Sequence, residues 1–168
     1  IRSDMVRTTQ TVDGAVQGLR GGHRLEVRSQ LNEIHAGAIE GWTFTEFRQQ
    51  AGQEYQARKS DKLRYRYPGG ESYLDLLHRV DPVVKEIQQY GREGKDVLVV
   101  AHQATLRCVL ARLTGLTDSN ANSVPRIKIP LHTIVHVQRE EQKDDDGEDG
   151  LRAAKGKYTV IGNVSLLE

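Results

Sequence analysis

The stretch VLVVAHQATLRCVLARL, residues 97–113, decides the fold. Residues 97–100 form an apolar run, which is typical of a strand covered on both faces in a mostly parallel sheet. From Gln103 to Leu113 the apolar residues recur at helical spacing. His102 lies between this strand and this helix. Ligands of open α/β sheets bind at such a place, because the following helix presents unpaired N–H groups and the positive end of its dipole.

Helices and strands alternate along the rest of the chain. Residues 72–75 fit a capping box that opens a long helix with an apolar face from Tyr73 to Ile87, and Pro82 is expected to kink or divide it. Two further helical patterns cover 3–19 and 43–63. A short strand and a loop are expected within 23–34, and two later strands over 132–137 and 157–162. This alternation predicts a single α/β domain over 1–168 with three layers, in which helices surround a mainly parallel sheet.

The composition is that of a globular protein. Hydrophobic residues make up 37% of the 168 residues and charged residues 28%, and the formal net charge is +1. This charge creates no overall field that would attract nucleic acid or an anionic membrane, and no apolar run approaches the length of a membrane span. The single cysteine, Cys108, falls in the apolar helical pattern, so we expect a buried thiol and a reducing, cytoplasmic compartment.

Residues 139–157 differ in composition from the rest of the chain. They are dense in charge and interrupted by glycine, and they show neither helical nor strand periodicity. We therefore expect an exposed acidic insert loop without ordered structure.

Basic and aromatic residues are interleaved in RKSDKLRYRYPGGESY, residues 58–73. The spacing alone leaves three interpretations open. The segment is a solvated loop, a surface that stacks bases and neutralises phosphates along single-stranded nucleic acid, or a pocket in which guanidinium groups grip a small multiply phosphorylated molecule. The near-zero net charge of the domain argues against nucleic acid.

Two pairs of polar residues are further candidates for chemistry. Gln103 and Arg107 are one helical turn apart beside His102, and together the three predict a phosphate site. Glu33 and His35, in LNEIHAG, would point to one face of an extended segment, where a carboxyl group could protonate a leaving alkoxide. The competing interpretations are a structural histidine, a surface arginine and a polar loop carboxylate.

Five segments resemble a known family in order and approximate spacing: VRTTQT, LNEIHAG, DKLRYRYPGGESYLDLLHRV, VLVVAHQATLRCVLA and IPLHTIVHV. The family is the bisphosphatase half of the bifunctional 6-phosphofructo-2-kinase/fructose-2,6-bisphosphatases. That half belongs to the histidine phosphatase superfamily, together with the phosphoglycerate mutases. RYPGGESY with AHQATLRC is more specific than the superfamily signature and favours the bisphosphatase over a mutase. The resemblance covers nearly the whole chain except the acidic insert, and it implies the histidine phosphatase, or phosphoglycerate mutase-like, fold.

The resemblance also implies a role for each matching residue. Arg7 and His102 hold the phosphoryl group on C2 of fructose, and Glu33 is the general acid that protonates the departing sugar oxygen. A set of pocket residues holds the other end of the substrate, chiefly its 6-phosphate: Arg58, Lys62, Tyr73, Gln103 and Arg107. In the family a histidine attacks phosphorus, and water then hydrolyses the phosphohistidine. No metal or cofactor is implied for this half, whereas an upstream kinase half would use ATP and Mg.

The sequence departs from the family pattern in two ways. The family's attacking histidine stands in an Arg-His-Gly motif on the first strand, and no Arg-His-Gly occurs here; neither His23 nor His35 has that context. We therefore expect a fragment that lacks the first strand, the nucleophile and the kinase half, that is inactive alone, and that is poorly soluble or depends on a partner. Phe44 stands where the family usually has a tyrosine, which removes one hydroxyl from the pocket.

The favoured hypothesis is a domain whose complete parent hydrolyses fructose 2,6-bisphosphate to fructose 6-phosphate in the cytoplasm. The expected partner is a small phosphosugar rather than nucleic acid or a membrane. Two alternatives remain: a non-catalytic phosphosugar-binding or regulatory module, and another histidine phosphatase such as a phosphoglycerate mutase. An RNA-binding domain that uses the tyrosine–arginine loop would show nucleic-acid affinity that falls steeply with salt.

Overall fold

The computed structural model describes residues 1–17, 22–130, 133–140, 158–161 and 165–166. Within these ranges the helices are α1 Val6–Val16, α2 Phe44–Gln50, α3 Gly52–Ser60, α4 Tyr73–Arg92 and α5 Gln103–Leu113. The strands are β1 Ile127–Lys128, β2 His136–Arg139, β3 Tyr158–Ile161 and β4 Ser165–Leu166. Shorter 3₁₀ turns lie at Ser29–Leu31, Gly37–Ile39 and Asp118–Arg126.

Helix α4 begins at the predicted capping box. The Ser72 hydroxyl accepts a hydrogen bond from the Asp75 amide at 3.1 Å, and the Asp75 carboxylate accepts one from the Ser72 amide at 2.8 Å. Pro82 does not divide the helix, contrary to one of the two predicted outcomes. The carbonyl that loses its amide partner belongs to His78 on an exposed part of the helix, where water can satisfy it. No helix in the described part of the chain is both long and apolar enough to cross a membrane.

The hydrophobic core lies between α4 and α5. Side chains of α4 that are 0–1% exposed face this interface, namely Leu76, Leu77, Val80 and Val83. Cys108 and Ala111 of α5 are 0% exposed on the opposite side. Burial raises the pKa of the Cys108 thiol, which packs as a small hydrophobic group, as predicted.

Parallel pairing centres on residues 1–3. The Arg2 amide donates to the Glu26 carbonyl at 2.9 Å, and on the other side the Ser3 amide donates to the Val100 carbonyl at 3.2 Å. The run at 97–100 is therefore extended, but it is not covered on both faces as the sequence predicts. Its alternate side chains pack on the core, while Leu98 points the other way and is 45% exposed.

The named strands pair in antiparallel fashion, β1 with β4 and β2 with β3. Strand β3 confirms the later of the two predicted strands, whereas β2 overlaps the predicted 132–137 strand only at residues 136–137, and residues 133–135 form no strand. Strand β2 runs to Arg139, so the predicted insert loop does not begin at that residue. Residues 141–157 of the insert lie outside the described residues.

Two helical patterns have different bounds in the structure. Helix α1 begins only at Val6, because residues 1–3 are extended and paired in parallel with two neighbouring segments. The end of the 3–19 pattern lies outside the described residues. The 43–63 pattern forms two helices, since Ala51 adopts φ −134° and ψ 53°, which interrupts the helical path just before Gly52.

The buried α4–α5 interface predicts a stability difference between two leucines. Leu76→Ala removes a side chain that is 0% exposed and should lower the free energy of unfolding by about 2–5 kcal/mol in urea denaturation. Leu98→Ala, at a position 45% exposed, is the matched control and should cost less than half as much. Equal losses in the two variants would contradict this location of the core.

Candidate active site

His102 is held by a directed chain of hydrogen bonds. The Arg7 Nε–H donates to His102 Nδ1 at 2.9 Å, and His102 Nε2 lies 2.9 Å from the Ser3 hydroxyl. An arginine nitrogen can only donate, so Nδ1 must carry a lone pair and the proton of the neutral ring must be on Nε2. The Ser3 hydroxyl then donates to Thr8 at 2.8 Å, and Thr8 donates to the Met5 carbonyl at 2.7 Å. The ring is thus fixed as the neutral Nε2–H tautomer.

The same contacts disfavour a positive charge on His102. Burial lowers the pKa of the ring below its ordinary value, the Arg7 guanidinium lowers it further, and Glu33 opposes these effects. His102 is only 6% exposed, and Ser3 and Thr8 are buried beside it. The structure therefore places Arg7, Glu33 and His102 within one electrostatic group.

Glu33 lies at the N-terminus of α5. Its carboxylate accepts hydrogen bonds from the Ala104 amide at 3.2 and 3.3 Å and from the Thr105 amide at 3.4 Å. These are donors that a helix leaves unsatisfied. Glu33, from a distant segment, supplies the acceptor that an N-cap side chain would otherwise provide. This corrects one premise of the sequence argument, because these two amides are not free to bind a phosphate. The Thr105 hydroxyl donates a hydrogen bond to the Asn32 carbonyl at 2.7 Å.

A second group of cations lies one turn further along α5. Arg107 is 8% exposed, and its guanidinium donates to the Ile127 carbonyl at 2.6 Å and to the Tyr73 hydroxyl at 3.0 Å. The Lys62 ammonium donates to the Pro125 carbonyl at 3.1 Å and lies 5.8 Å from the centre of the Tyr73 ring. We call Arg58, Lys62, Arg107 and Arg126 the cationic cluster.

Electrostatics join the members of the cationic cluster. Burial, followed by the charges of Arg58, Arg107 and Arg126, lowers the pKa of Lys62 to about 8. Burial also raises the pKa of Tyr73. Positive charges this close together are costly to hold without an anion.

The partners of the basic residues separate the cationic cluster from the solvated surface. Arg64 and Arg66 of the same loop form ion pairs with Asp61 and Asp75, at 3.3 and 2.5 Å. By contrast, among the described residues no member of the cationic cluster has a carboxylate within ion-pairing distance. The hydrogen bonds of Arg58, Lys62 and Arg107 go to carbonyl and hydroxyl oxygens, which do not neutralise the positive charge.

Aromatic rings surround Arg58. Its Nε donates to the Tyr67 hydroxyl at 2.6 Å, and its guanidinium carbon lies 5.2 Å from the centre of the Phe44 ring. Phe44 therefore contacts Arg58 through its ring face, a contact that does not need the hydroxyl of the family tyrosine.

The remaining candidate residues take lesser positions. Gln103 is exposed and makes one long hydrogen bond, 3.5 Å, to the Ile129 carbonyl. His35 and His23 are exposed, and His35 engages its neighbours through its backbone. In the part of the chain that the structure describes, no group of three or more His, Cys, Asp or Glu side chains could hold a metal ion.

Comparison with known proteins identifies the family. A model of the histidine phosphatase superfamily (branch 1) matches residues 1–145. The chain belongs to this superfamily. Among solved structures, this histidine phosphatase domain superposes on mycobacterial hydrolase 1 with a TM-score of 0.75 at 20% identity, over 99% of this chain and 76% of the other. The match to mycobacterial glucosyl-3-phosphoglycerate phosphatase with VO₃ has a TM-score of 0.60 at 26% identity, over 72% and 60%. The predicted α/β histidine phosphatase fold is confirmed.

Bifunctional enzymes are similar in sequence to this histidine phosphatase domain. It is 40% identical over 135 residues to 6-phosphofructo-2-kinase/fructose-2,6-bisphosphatase 1 of Rattus norvegicus, covering 80% of this chain and 26% of the relative. It is 44% identical over 108 residues to the 6-phosphofructo-2-kinase/fructose-2,6-bisphosphatase of Arabidopsis thaliana, covering 64% and 14%. The chain thus spans about a quarter or less of the length of these relatives. Their histidine phosphatase portion supports a phosphatase activity for this domain.

Four residues of the site were not predicted from the sequence. Ser3 and Thr8 orient His102, and only their position before and in the first turn of α1 marked them. Arg126 follows the carbonyl that binds Lys62 and precedes the one that binds Arg107. Tyr67 was visible as an interleaved aromatic but not as the partner of Arg58.

The hydrogen-bonded ring of His102 predicts a measurable titration. Its NMR midpoint should lie below the ordinary value of 6.5, and Arg7→Met should raise it without restoring that value fully, because burial is the larger cause. The unfolded chain binds this proton more readily, so the free energy of unfolding should fall as pH drops below about 6.5. Arg66→Met removes an exposed arginine and is the control. A midpoint that Arg7→Met leaves unchanged would contradict the assigned contact.

Proposed function

We propose that this domain binds fructose 2,6-bisphosphate at two positions, and that the complete protein hydrolyses the 2-phosphate to give fructose 6-phosphate. The 2-phosphoryl group lies against Arg7 and His102, and the 6-phosphate enters the cationic cluster. The resemblance to bifunctional enzymes supports this substrate. The observation that carries the proposal is a cluster of four cations without a carboxylate partner among the described residues.

A phosphate supplies the negative charge that the described residues do not. Arg107 is buried and Lys62 is half-buried, and neutral oxygens are their only hydrogen-bond acceptors in the described contacts. A dianion among these groups forms charge-assisted hydrogen bonds, which are the strong class of hydrogen bonds in proteins. The buried Tyr73 hydroxyl, which accepts from Arg107, can in turn donate to a phosphate oxygen.

The other end of the site suits a departing sugar oxygen. When the phosphoryl group leaves C2, the oxygen of fructose gains charge and needs a proton, and Glu33 is the acid that the resemblance assigns to this step. Arg7 contributes positive charge where the phosphoryl oxygens gain charge. The family forms a phosphohistidine through a histidine of an Arg-His-Gly motif. This sequence contains no such motif, so we propose that the chain alone forms no phosphoenzyme.

A non-catalytic phosphosugar-binding module is the second candidate, because the cationic cluster would bind a phosphosugar whether or not hydrolysis follows. An RNA-binding surface is less compatible with the contacts of the basic loop. The Tyr65 hydroxyl donates to Glu54 at 2.7 Å, and its ring packs 5.2 Å from the buried Tyr67 ring, so both aromatic side chains are engaged within the fold. A cytoplasmic location, an upstream kinase half with ATP and Mg, and the absence of a cofactor in this half stay predictions from the resemblance.

Binding of fructose 6-phosphate to the 168-residue chain tests the cationic cluster. Arg107→Gln and Lys62→Gln should each weaken binding about 10- to 100-fold in calorimetric titration, because each removes a charge-assisted hydrogen bond. Arg64→Gln, in the same loop but ion-paired at the surface, is the matched control and should bind like the unsubstituted chain. Thermal unfolding of each variant verifies that it is folded.

Two results of this titration would overturn the proposed substrate site. One is an equal affinity for fructose 6-phosphate in the unsubstituted chain and in folded Lys62→Gln. The other is single-stranded RNA binding that competes with fructose 6-phosphate and falls steeply with salt.

Incubation with fructose 2,6-bisphosphate should yield no acid-labile phosphate on the chain, and detection of a phosphohistidine would refute the assignment of the nucleophile.

The pKa of Lys62 predicts opposite pH trends for binding and stability. Because its pKa in the folded chain is about 8, affinity for fructose 6-phosphate should fall as pH rises from 8 upward. The unfolded chain binds more protons between pH 8 and 10.5, so the contribution of Lys62 to the free energy of unfolding should rise with pH there. Lys62→Met should abolish both trends. An affinity of the unsubstituted chain that is constant between pH 8 and 10.5 would contradict the role of Lys62.

A further inference from the structure

Arg79 of α4 binds the backbone of the segment that carries Glu33. Its guanidinium donates to the carbonyls of Gln30 at 2.8 Å, Asn32 at 3.1 Å and Glu33 at 3.3 Å, with a longer contact of 3.4 Å to Ser29. One side chain thus binds four carbonyls of the segment 29–33. Carbonyls turned to one side in this way need a common donor, and a guanidinium offers five N–H groups in a rigid plane.

Glu71 completes the arrangement on the other side of Glu33. Its two carboxylate oxygens accept from Arg79 at 2.7 and 3.0 Å, in the bidentate geometry that suits this pair. One of these oxygens also accepts from the His35 amide at 2.9 Å, and the Glu71 amide donates to the His35 carbonyl at 2.9 Å. Arg79 therefore fixes the backbone up to Glu33, and Glu71 fixes it two residues later.

Two glycines allow the backbones to approach closely enough for these contacts. A Cβ at Gly70 would lie 2.3 Å from the His35 carbonyl oxygen, and one at Gly37 would lie 2.1 Å from the Pro68 carbonyl oxygen. Gly37 also has φ +57°, a conformation that other residues rarely adopt. The loop before α4 and the loop after Glu33 are therefore in direct backbone contact.

We infer that Arg79 and Glu71 form a brace that positions the Glu33 carboxylate on the amides of Ala104 and Thr105. Glu33 lies between two 3₁₀ turns in irregular backbone, where neither helix nor strand fixes the direction of its side chain. The brace supplies that constraint from α4. Neither Arg79 nor Glu71 contacts the Glu33 carboxylate or the cationic cluster in the described contacts, so both are positioning residues. The consequence for proton transfer rests on the proposed function, whereas the positioning is a property of this chain.

Amide NMR of the 168-residue chain tests the brace without substrate. Glu33→Gln should shift the amide resonances of Ala104 and Thr105, because it replaces the carboxylate that accepts from them. This shift is the response that the brace controls. When Glu33→Gln is introduced into Arg79→Gln or Glu71→Gln, most of the response should be lost. Arg79→Lys, which keeps the charge but not the planar fork, should recover only part of it.

Arg112→Gln is the matched control. Arg112 lies on α5 and also binds two carboxylates, Asp81 at 2.9 Å and Asp118 at 2.6 Å, together with the Leu116 carbonyl. Its loss destabilises the same helix pair without touching the Glu33 segment, so the Ala104 and Thr105 response should persist. An intact response in folded Arg79→Gln and Glu71→Gln would overturn the brace. So would an equal loss in Arg112→Gln, which would show a general effect of stability. Because no phosphosugar is present, failure of the proposed substrate leaves this test unaffected.

Discussion

The arrangement of this domain depends on partly buried positive charge that no carboxylate among the described residues compensates. Arg107 is 8% exposed and is held by a carbonyl and a phenol oxygen, and Lys62 is held by a carbonyl. A buried charge without a counter-charge is expensive, and the depressed pKa of Lys62 is one expression of that cost. Surface arginines two and four residues from Lys62 are ion-paired, so carboxylates of the described residues pair with neighbouring arginines and not with this cluster.

Helix α5 links the two ends of the site. His102 is its N-cap residue, the amides of its first turn bind Glu33, and Arg107 follows one turn later. The helix is rigid because nearly all of its side chains are buried against α4 and the segment after residue 118. The His102 end and the Arg107 end of the helix are therefore held at a fixed separation, which in the proposed function suits a ligand with two phosphates.

Local patterns in the sequence were sufficient for part of this structure. The capping box and the apolar faces of α4 and α5 are contained in contiguous residues, and both helices lie where the pattern predicts. Spacing alone left the basic loop ambiguous, and only the family resemblance selected Arg58 and Lys62. The contacts of Glu33 with α5 and of Arg79 with the Glu33 segment join residues about 50 to 70 positions apart, so no local signal encodes them. The exposure of Leu98 was missed because an apolar run does not reveal which faces of a strand its neighbours cover.

The most direct measurement is ³¹P NMR of fructose 2,6-bisphosphate bound to the chain, since the two phosphates give separate resonances. The account predicts that both resonances shift on binding. Arg7→Gln should abolish the shift of the 2-phosphate while retaining that of the 6-phosphate, and Lys62→Gln should do the reverse. If both variants affect the two phosphates equally, or if the 6-phosphate is insensitive to Lys62, the ligand does not bridge the two ends of α5 and the account is wrong.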